Sequence, residues 1–131
     1  MIVSSFLRAN FFAGVLLLIC LAPVRADDRV VAYYLDFGIS RMTGIPEAQI
    51  ASYACEYRVE RARIDELIVR APPAVPSSYE GRDVRAMFRI GERVMYVDSS
   101  GAARLGSKYF QMRKSDVTEV FRSGMLVKCE H

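Results

Sequence analysis

The chain has 131 residues, of which 52% are hydrophobic, 25% charged and 11% aromatic, and its formal net charge is +3. This composition is that of an ordinary folded chain of one domain, and it excludes disordered, collagen-like and repeat-built classes. The single histidine is His131, so we expect neither a histidine-dependent catalytic triad nor a zinc site with histidine ligands.

Residues 1–26 have the pattern of a cleavable secretory signal peptide. Arg8 supplies a positive start, an apolar run extends from Phe11 to Ala22, and Pro23 ends it. Ala26 then stands directly before the expected cut, where the peptidase accepts only small side chains. The apolar run is shorter than the roughly 20 residues of a membrane-spanning helix, so an uncleaved anchor is the weaker interpretation. We therefore expect a periplasmic or secreted protein, of bacterial type, with no stable membrane span after cleavage.

Two cysteines, Cys55 and Cys129, remain after the predicted cleavage. An even number of cysteines in an oxidising compartment predicts a disulfide between them. In the chain-entropy model, a loop of this length stabilises the fold by about 4 kcal/mol. Two unpaired thiols are the alternative.

The start of the mature chain fits two patterns. Apolar and aromatic residues alternate over positions 31–39, as in a strand. Val31, Leu35, Ile39 and Met42 also share one helical stripe, which acidic residues precede and Gly44 follows. We expect a helix here, with a strand as the alternative.

The segment from about residue 46 to 71 predicts one long helix. Pro46 suits a first helical turn, and no glycine or proline follows until Pro72. Apolar residues recur at helical spacing, at Ile50, Tyr53, Tyr57, Ile64, Leu67 and Ala71. The alternation over Tyr53–Val59 favours a strand as the competing interpretation.

The rest of the chain predicts mostly short strands. Residues 72–81 form a proline-rich linker, and residues 85–112 form a β-meander with turns at Gly91, Gly101 and Gly106. Ser115 is expected to cap a short helix over residues 116–123, and residues 125–129 are a possible last strand. Residues 27–131 are thus expected to form a single α+β domain. In it, the long helix and the N-terminal helix pack on a small antiparallel β-meander, with a short C-terminal helix.

The second half of this domain is basic. Residues 81–131 contain 10 basic and 6 acidic side chains, whereas residues 27–80 contain 6 basic and 9 acidic ones. The candidate binding residues lie on the predicted meander and are Arg85, Arg89, Arg93, Tyr96, Arg104, Lys108 and Tyr109. Arginine binds carboxylates and phosphates through a planar fork and stacks on tyrosine. A surface of this kind suits another protein or an anionic envelope component, while export argues against nucleic acid as a partner. The alternative is an ordinary solvated sheet.

No phosphate-binding loop, nucleophile motif or metal-ligand spacing occurs, so we expect no cofactor, no metal and no enzyme activity. The expected function is that of a small exported binding protein, for example an inhibitor or immunity-type antagonist. A structural or accessory subunit of an envelope or secretion assembly is the alternative. An enzyme that uses carboxylates alone is a third hypothesis, and it needs Glu60 or Asp36 buried in a cleft.

Overall fold

An antiparallel β-sheet dominates the computed structural model, which describes residues 28–39 and 43–129. In this part of the chain the strands are β1 (Arg29–Tyr34), β2 (Cys55–Glu60), β3 (Val84–Ile90), β4 (Arg93–Asp98), β5 (Ala102–Leu105), β6 (Lys108–Gln111) and β7 (Met125–Lys128). The α-helices are α1 (Ile50–Tyr53), α2 (Arg61–Arg70) and α3 (Lys114–Arg122). Two 3₁₀ turns, Glu47–Gln49 and Pro76–Ser78, lie in the connections.

The strands lie in the spatial order β6-β5-β4-β3-β1-β2-β7, and every neighbouring pair is antiparallel. Strands β3 to β6 follow one another through short turns. Strand β7 instead returns from the far end of the described chain to pair with β2. The two outermost strands of the sheet are therefore β6 and β7.

Helices α2 and α3 cover one side of the sheet, which we call the helix face. Because successive strand residues point to opposite sides, alternate residues of each strand enter this core. Val59, Phe88 and Met95 have no solvent exposure there. Phe121 of α3 packs over Phe88 with ring centroids 5.1 Å apart.

The opposite side, which we call the second face, is only partly covered. Helix α1 and the chain before it bring Ile45 and Ile50 against Val84 and Met87 in a smaller core. Beyond this core, Arg89 is exposed to solvent.

The predicted long helix is wrong, and with it the predicted fold class. The structure is a seven-stranded antiparallel sheet with three short helices in the described residues, and the segment 46–71 contains α1, β2 and α2. Strand β2 pairs with β1 on one side and with β7 on the other, so its backbone groups gain partners on both sides. The alternation over 53–59 was the better indicator here than the absence of glycine and proline.

The predicted N-terminal helix is also wrong, because Arg29–Tyr34 is a strand that pairs with both β2 and β3. The predicted signal peptide, residues 1–26, and positions 40–42 of the predicted helix lie outside the described residues.

The meander lies where the turn spacing predicted it, and the last helix begins two residues earlier and ends one residue earlier than predicted. Helix α3 begins at Lys114, and its N-cap is Arg113, which makes no side-chain capping hydrogen bond. Ser115 is therefore inside the helix and is not its cap. In the part of the chain that the structure describes, no helix has the length and apolar character to cross a membrane.

Candidate functional site

The predicted binding residues do not all share one surface. Tyr96, Arg104 and Tyr109 are directly opposed across β4, β5 and β6, so they point to the same side, the second face. Arg89 also lies on this face, because it is two residues from Met87, which opposes Tyr96.

Arg93 and Lys108 lie on the other side of the sheet. Arg93 opposes Ile90 and Lys108 opposes Leu105, and both partners belong to the core of the helix face. The structure thus divides the predicted set. Alternate residues of a strand point to opposite sides of the sheet, and Arg93 and Lys108 occupy positions that point to the helix face.

The Arg104 side chain is bound to another residue of the protein, Glu47. Its Nε donates to Glu47 Oε2 at 3.0 Å and its Nη2 donates to Glu47 Oε1 at 2.7 Å. The guanidinium carbon lies 5.4 Å from the centroid of the Tyr96 ring and 6.0 Å from that of Tyr79. Arg104 therefore fastens the chain before α1 to the meander.

Burial and hydrogen bonding shift the pKa values of this cluster. Burial alone would raise the pKa of the Glu47 carboxyl, but hydrogen bonds from Arg104 and Tyr79 outweigh it and hold that pKa below its ordinary value. The Tyr79 hydroxyl donates to Glu47 Oε2 at 2.5 Å. Burial, followed by this bond to a carboxylate, raises the pKa of Tyr79 far above the ordinary range. In this cluster the charges of Glu47 and Arg104 neutralise each other within the protein.

The Arg85 side chain likewise makes its polar contacts within the protein. It is 5% exposed, and its Nη1 donates to the backbone carbonyls of Asp36 at 3.1 Å and Ile39 at 2.6 Å. Its Nε pairs with Asp83 at 3.3 Å. Arg85 holds the turn that follows β1, and this turn carries the Asp36 carboxylate.

Arg89 keeps an open environment. It is exposed, and its guanidinium carbon lies 5.9 Å from the centroid of the Tyr33 ring. Of the predicted arginines on the second face, Arg89 is the one available to an anionic partner.

The carboxylate hypothesis gains no support from Glu60. Its side chain is 57% exposed and lies 3.8 Å from Arg63. A cleft of about 460 Å³ between α2 and the start of α3 has Asp116 as its single acidic wall residue. Within the described residues, no three His, Cys, Asp or Glu side chains cluster as metal ligands.

The predicted disulfide is confirmed. Cys55 begins β2, Cys129 follows β7, and the two sulfurs are bonded across a sequence separation of 74 residues. The bond lies at one end of the β2–β7 pair, so it fixes the outermost strand to the rest of the sheet.

The sequence reasoning missed that β7 is an outermost strand of the sheet among the described residues. Met125, Leu126 and Val127 are 50%, 54% and 47% exposed, three consecutive apolar side chains on an outermost strand. The run Met-Leu-Val was visible, but its position at the sheet edge depends on strand order, which the sequence does not state.

The opposite edge of the sheet is covered. The proline-rich linker runs beside β6, where Ala74 N–H donates to the Tyr109 carbonyl at 2.9 Å and Gln111 N–H donates to the Pro72 carbonyl at 2.9 Å. Pro73 and Phe110 form a β-bridge. Within the described residues β7 is therefore the edge with no strand or linker beside it.

A pocket of about 380 Å³ adjoins β7 on the helix face. Leu126 forms one wall, and Tyr57, which opposes it in the β2–β7 pair, forms part of the floor. Tyr34 stacks on Phe121 at the back, with centroids 4.4 Å apart and planes at 14°. Burial raises the pKa of the Tyr34 hydroxyl, and the nearby Asp36 charge adds to that rise.

In the part of the chain that the structure describes, β7 is an outermost strand with exposed apolar side chains and an adjoining pocket, so this end of the sheet is the best candidate for a site. No protein-family model, curated protein or solved structure gives a significant match to this chain.

Proposed function

We propose that this chain is an exported, non-catalytic binding protein that takes up an extended segment of another protein beside β7. The segment adds to the sheet as an eighth strand. Export is supported by the signal-like leader and by the Cys55–Cys129 disulfide, which is stable in an oxidising compartment.

The observation that carries this proposal is the open side of β7. An outermost strand presents unpaired backbone N–H and C=O groups, which pair readily with another extended chain. Strand addition uses these groups for affinity and alternate side chains for specificity. Met125, Leu126 and Val127 supply apolar area at the same place, so partner and strand bury surface as they pair.

Two further features favour docking over accidental exposure. The disulfide holds β7 in register, so little ordering is required when a partner binds. The other edge is covered by residues 72–74, so the sheet offers one side for addition in the described residues.

Two biological settings fit the same surface. An inhibitor or immunity-type antagonist would form a discrete complex with its target, whereas an accessory subunit would remain with a membrane-attached assembly. We favour the antagonist, because a small chain with one docking edge suffices for it. An anionic envelope component remains the weaker proposal, because Arg104 and Arg85 are committed to internal contacts.

Site-specific photo-crosslinking in the exporting cell tests the proposal. A photoreactive residue replaces Leu126 on β7, and the matched control replaces Val69 on α2, which is 83% exposed. We expect a discrete adduct with another protein from position 126 and none from position 69.

Equal adducts from both positions, or none from either, would contradict docking at β7. An adduct of two copies of this chain would identify a homodimer and refute a foreign partner. Fractionation of the adduct separates the two settings, since an accessory subunit is recovered with a membrane complex.

A further inference from the structure

Met125, the first residue of β7, is the exposed one among the methionines that the structure describes. Its side chain is 50% exposed, whereas Met87, Met95 and Met112 are 7%, 0% and 4% exposed. A buried thioether meets an oxidant only when the core around it opens, while an exposed one meets it in the folded protein. Within the described residues, Met125 is therefore the methionine that an oxidant reaches without unfolding.

The other side chains that oxidants usually attack do not compete at this edge. Cys55 and Cys129 are joined in the disulfide, so neither offers the thiolate at which oxidation of cysteine begins. The chain also contains no tryptophan. The Met125 sulfur is thus the most oxidisable atom of the docking edge.

The Met125 side chain lies over the second face of the sheet, where it meets Arg29 of β1. Met125 opposes Arg58 in the β2–β7 pair, and Arg58 neighbours Tyr57, whose side chain points to the helix face. Arg29 Nη1 lies 3.9 Å from the Met125 sulfur. A strong donor therefore already faces the atom that oxidation would change.

Oxidation strengthens this contact. A thioether sulfur is a weak acceptor, whereas a sulfoxide oxygen is a strong one, and a bond from a guanidinium to such an oxygen is charge-assisted. Arg29 then holds the oxidised side chain over β2, away from the open side of β7.

We propose that Met125 is a site of reversible oxidation to the sulfoxide by peroxide, and that this modification weakens docking at β7, an inference that rests on the proposed function. Met125, Leu126 and Val127 supply the apolar area of the edge. After oxidation, a docked strand loses its contact with an apolar side chain and meets a polar group, which must give up water as the strand binds.

The reaction is an oxygen transfer from hydrogen peroxide. The sulfur attacks one peroxide oxygen, so an S–O bond forms and the O–O bond breaks. Sulfur is oxidised and the peroxide is reduced. The proton on the transferred oxygen passes to the departing hydroxide, which leaves as water. Methionine sulfoxide reductases reverse the change with electrons from two thiols, which become a disulfide, and the oxygen is released as water.

The first measurement locates the oxidation. The disulfide-bonded protein is treated with hydrogen peroxide, sampled over time and digested, and mass spectrometry follows the gain of one oxygen atom at each methionine. We expect Met125 to react at least about tenfold faster than Met87, Met95 and Met112, because those react only when the core opens.

The second measurement follows docking. The probe is a synthetic heptapeptide with capped ends that alternates threonine and valine. It is titrated into the protein before and after oxidation, and the amide NMR signals of β7 are recorded. We expect oxidation to weaken peptide binding about tenfold, because a polar group replaces an apolar one at the contact. Methionine sulfoxide reductases should restore the original affinity.

Met125→Leu is the matched control. Leucine keeps an apolar side chain at the edge but has no sulfur, so the same peroxide treatment should leave the peptide affinity of this variant unchanged. Met42 is still present in the variant, so the control separates an effect of Met125 from one of Met42.

Comparable oxidation rates at all four methionines, equal peptide binding before and after oxidation, or an equal loss of affinity in Met125→Leu would each overturn the oxidation proposal alone. If the peptide does not perturb the β7 signals of the unoxidised protein, the docking edge is refuted and the effect on docking falls with it. The two failures are therefore distinguishable.

Discussion

Arg104 and Glu47 form a two-pronged ion pair across 57 residues of sequence, and the side chains are only 29% and 27% exposed. We expect Arg104→Ala to lower the free energy of unfolding by about 1.5–3 kcal/mol, because a partly buried carboxylate loses two charged hydrogen bonds. Urea denaturation measures the loss.

Arg70→Ala is the control for this substitution. Arg70 pairs with Glu66 at 2.8 Å, but the side chains are 70% and 56% exposed. Such surface pairs contribute little, so the change should stay below about 0.5 kcal/mol. Similar losses in the two variants would show that the Arg104–Glu47 contact has no special role.

The Glu47 carboxyl should make stability fall in acid. Its folded pKa lies below the ordinary value of 4.5, so its contribution is complete above that pH and is lost as pH falls through the folded pKa. We expect Glu47→Gln to be less stable than the unmodified protein at neutral pH and to show a flatter decline below pH 4.5. Urea midpoints at a series of pH values check this, and parallel curves would contradict it.

Tyr79 should ionise late in base. Its folded pKa lies above the ordinary value of 10.0, so its contribution is complete below that pH and falls as pH rises through the folded pKa. In a near-ultraviolet titration of the folded protein, Tyr79→Phe should remove one late-ionising phenol. Tyr34, whose pKa burial also raises, should remain as another. An unchanged titration curve in Tyr79→Phe would contradict the burial of this hydroxyl.

The disulfide should hold the β7 edge as well as the whole fold. We expect the double variant Cys55→Ser, Cys129→Ser to lose about 4 kcal/mol, since the bond closes a long loop. Hydrogen exchange should increase first at β7, because β2 is its single neighbouring strand among the described residues. Uniform acceleration over the whole sheet would argue against a local role.

Gly101 should not tolerate a side chain. Its φ is +91°, and a Cβ there would lie 2.5 Å from the Met112 carbonyl oxygen. Gly91 also has a positive φ, at +63°, but a Cβ there would meet nothing within 4 Å. Gly91→Ala should therefore cost about 1–2 kcal/mol from backbone strain alone, and Gly101→Ala should cost more. Thermal unfolding of the two variants gives the comparison, and equal losses would remove the steric argument.

The meander was predictable because its signals are local. Gly91, Gly101 and Gly106 all adopt positive φ, and each lies in a turn that the sequence predicted. The Cys55–Cys129 disulfide followed from counting cysteines.

The first two strands were harder to predict because local signals conflict there. Residues 31–39 carry both a strand and a helix pattern, and β2 follows α1 without a glycine or proline between them. Pairing between β1 and β2, for example of Val31 with Arg58, decides the outcome, and it joins residues that are distant in sequence.

The candidate site was unpredictable for the same reason. The clustering of arginine and tyrosine on the meander was visible, but Glu47 neutralises Arg104 from outside the meander. The exposure of Met125, Leu126 and Val127 likewise depends on the spatial order of the strands in the sheet, which places β7 outermost among the described residues.

The return of β7 to β2 has a consequence for synthesis. Until the chain beyond residue 125 has emerged, β2 is the outermost strand, and the Tyr57 ring lacks its neighbour Leu126. A nascent chain that folds early therefore exposes a different border from the completed sheet.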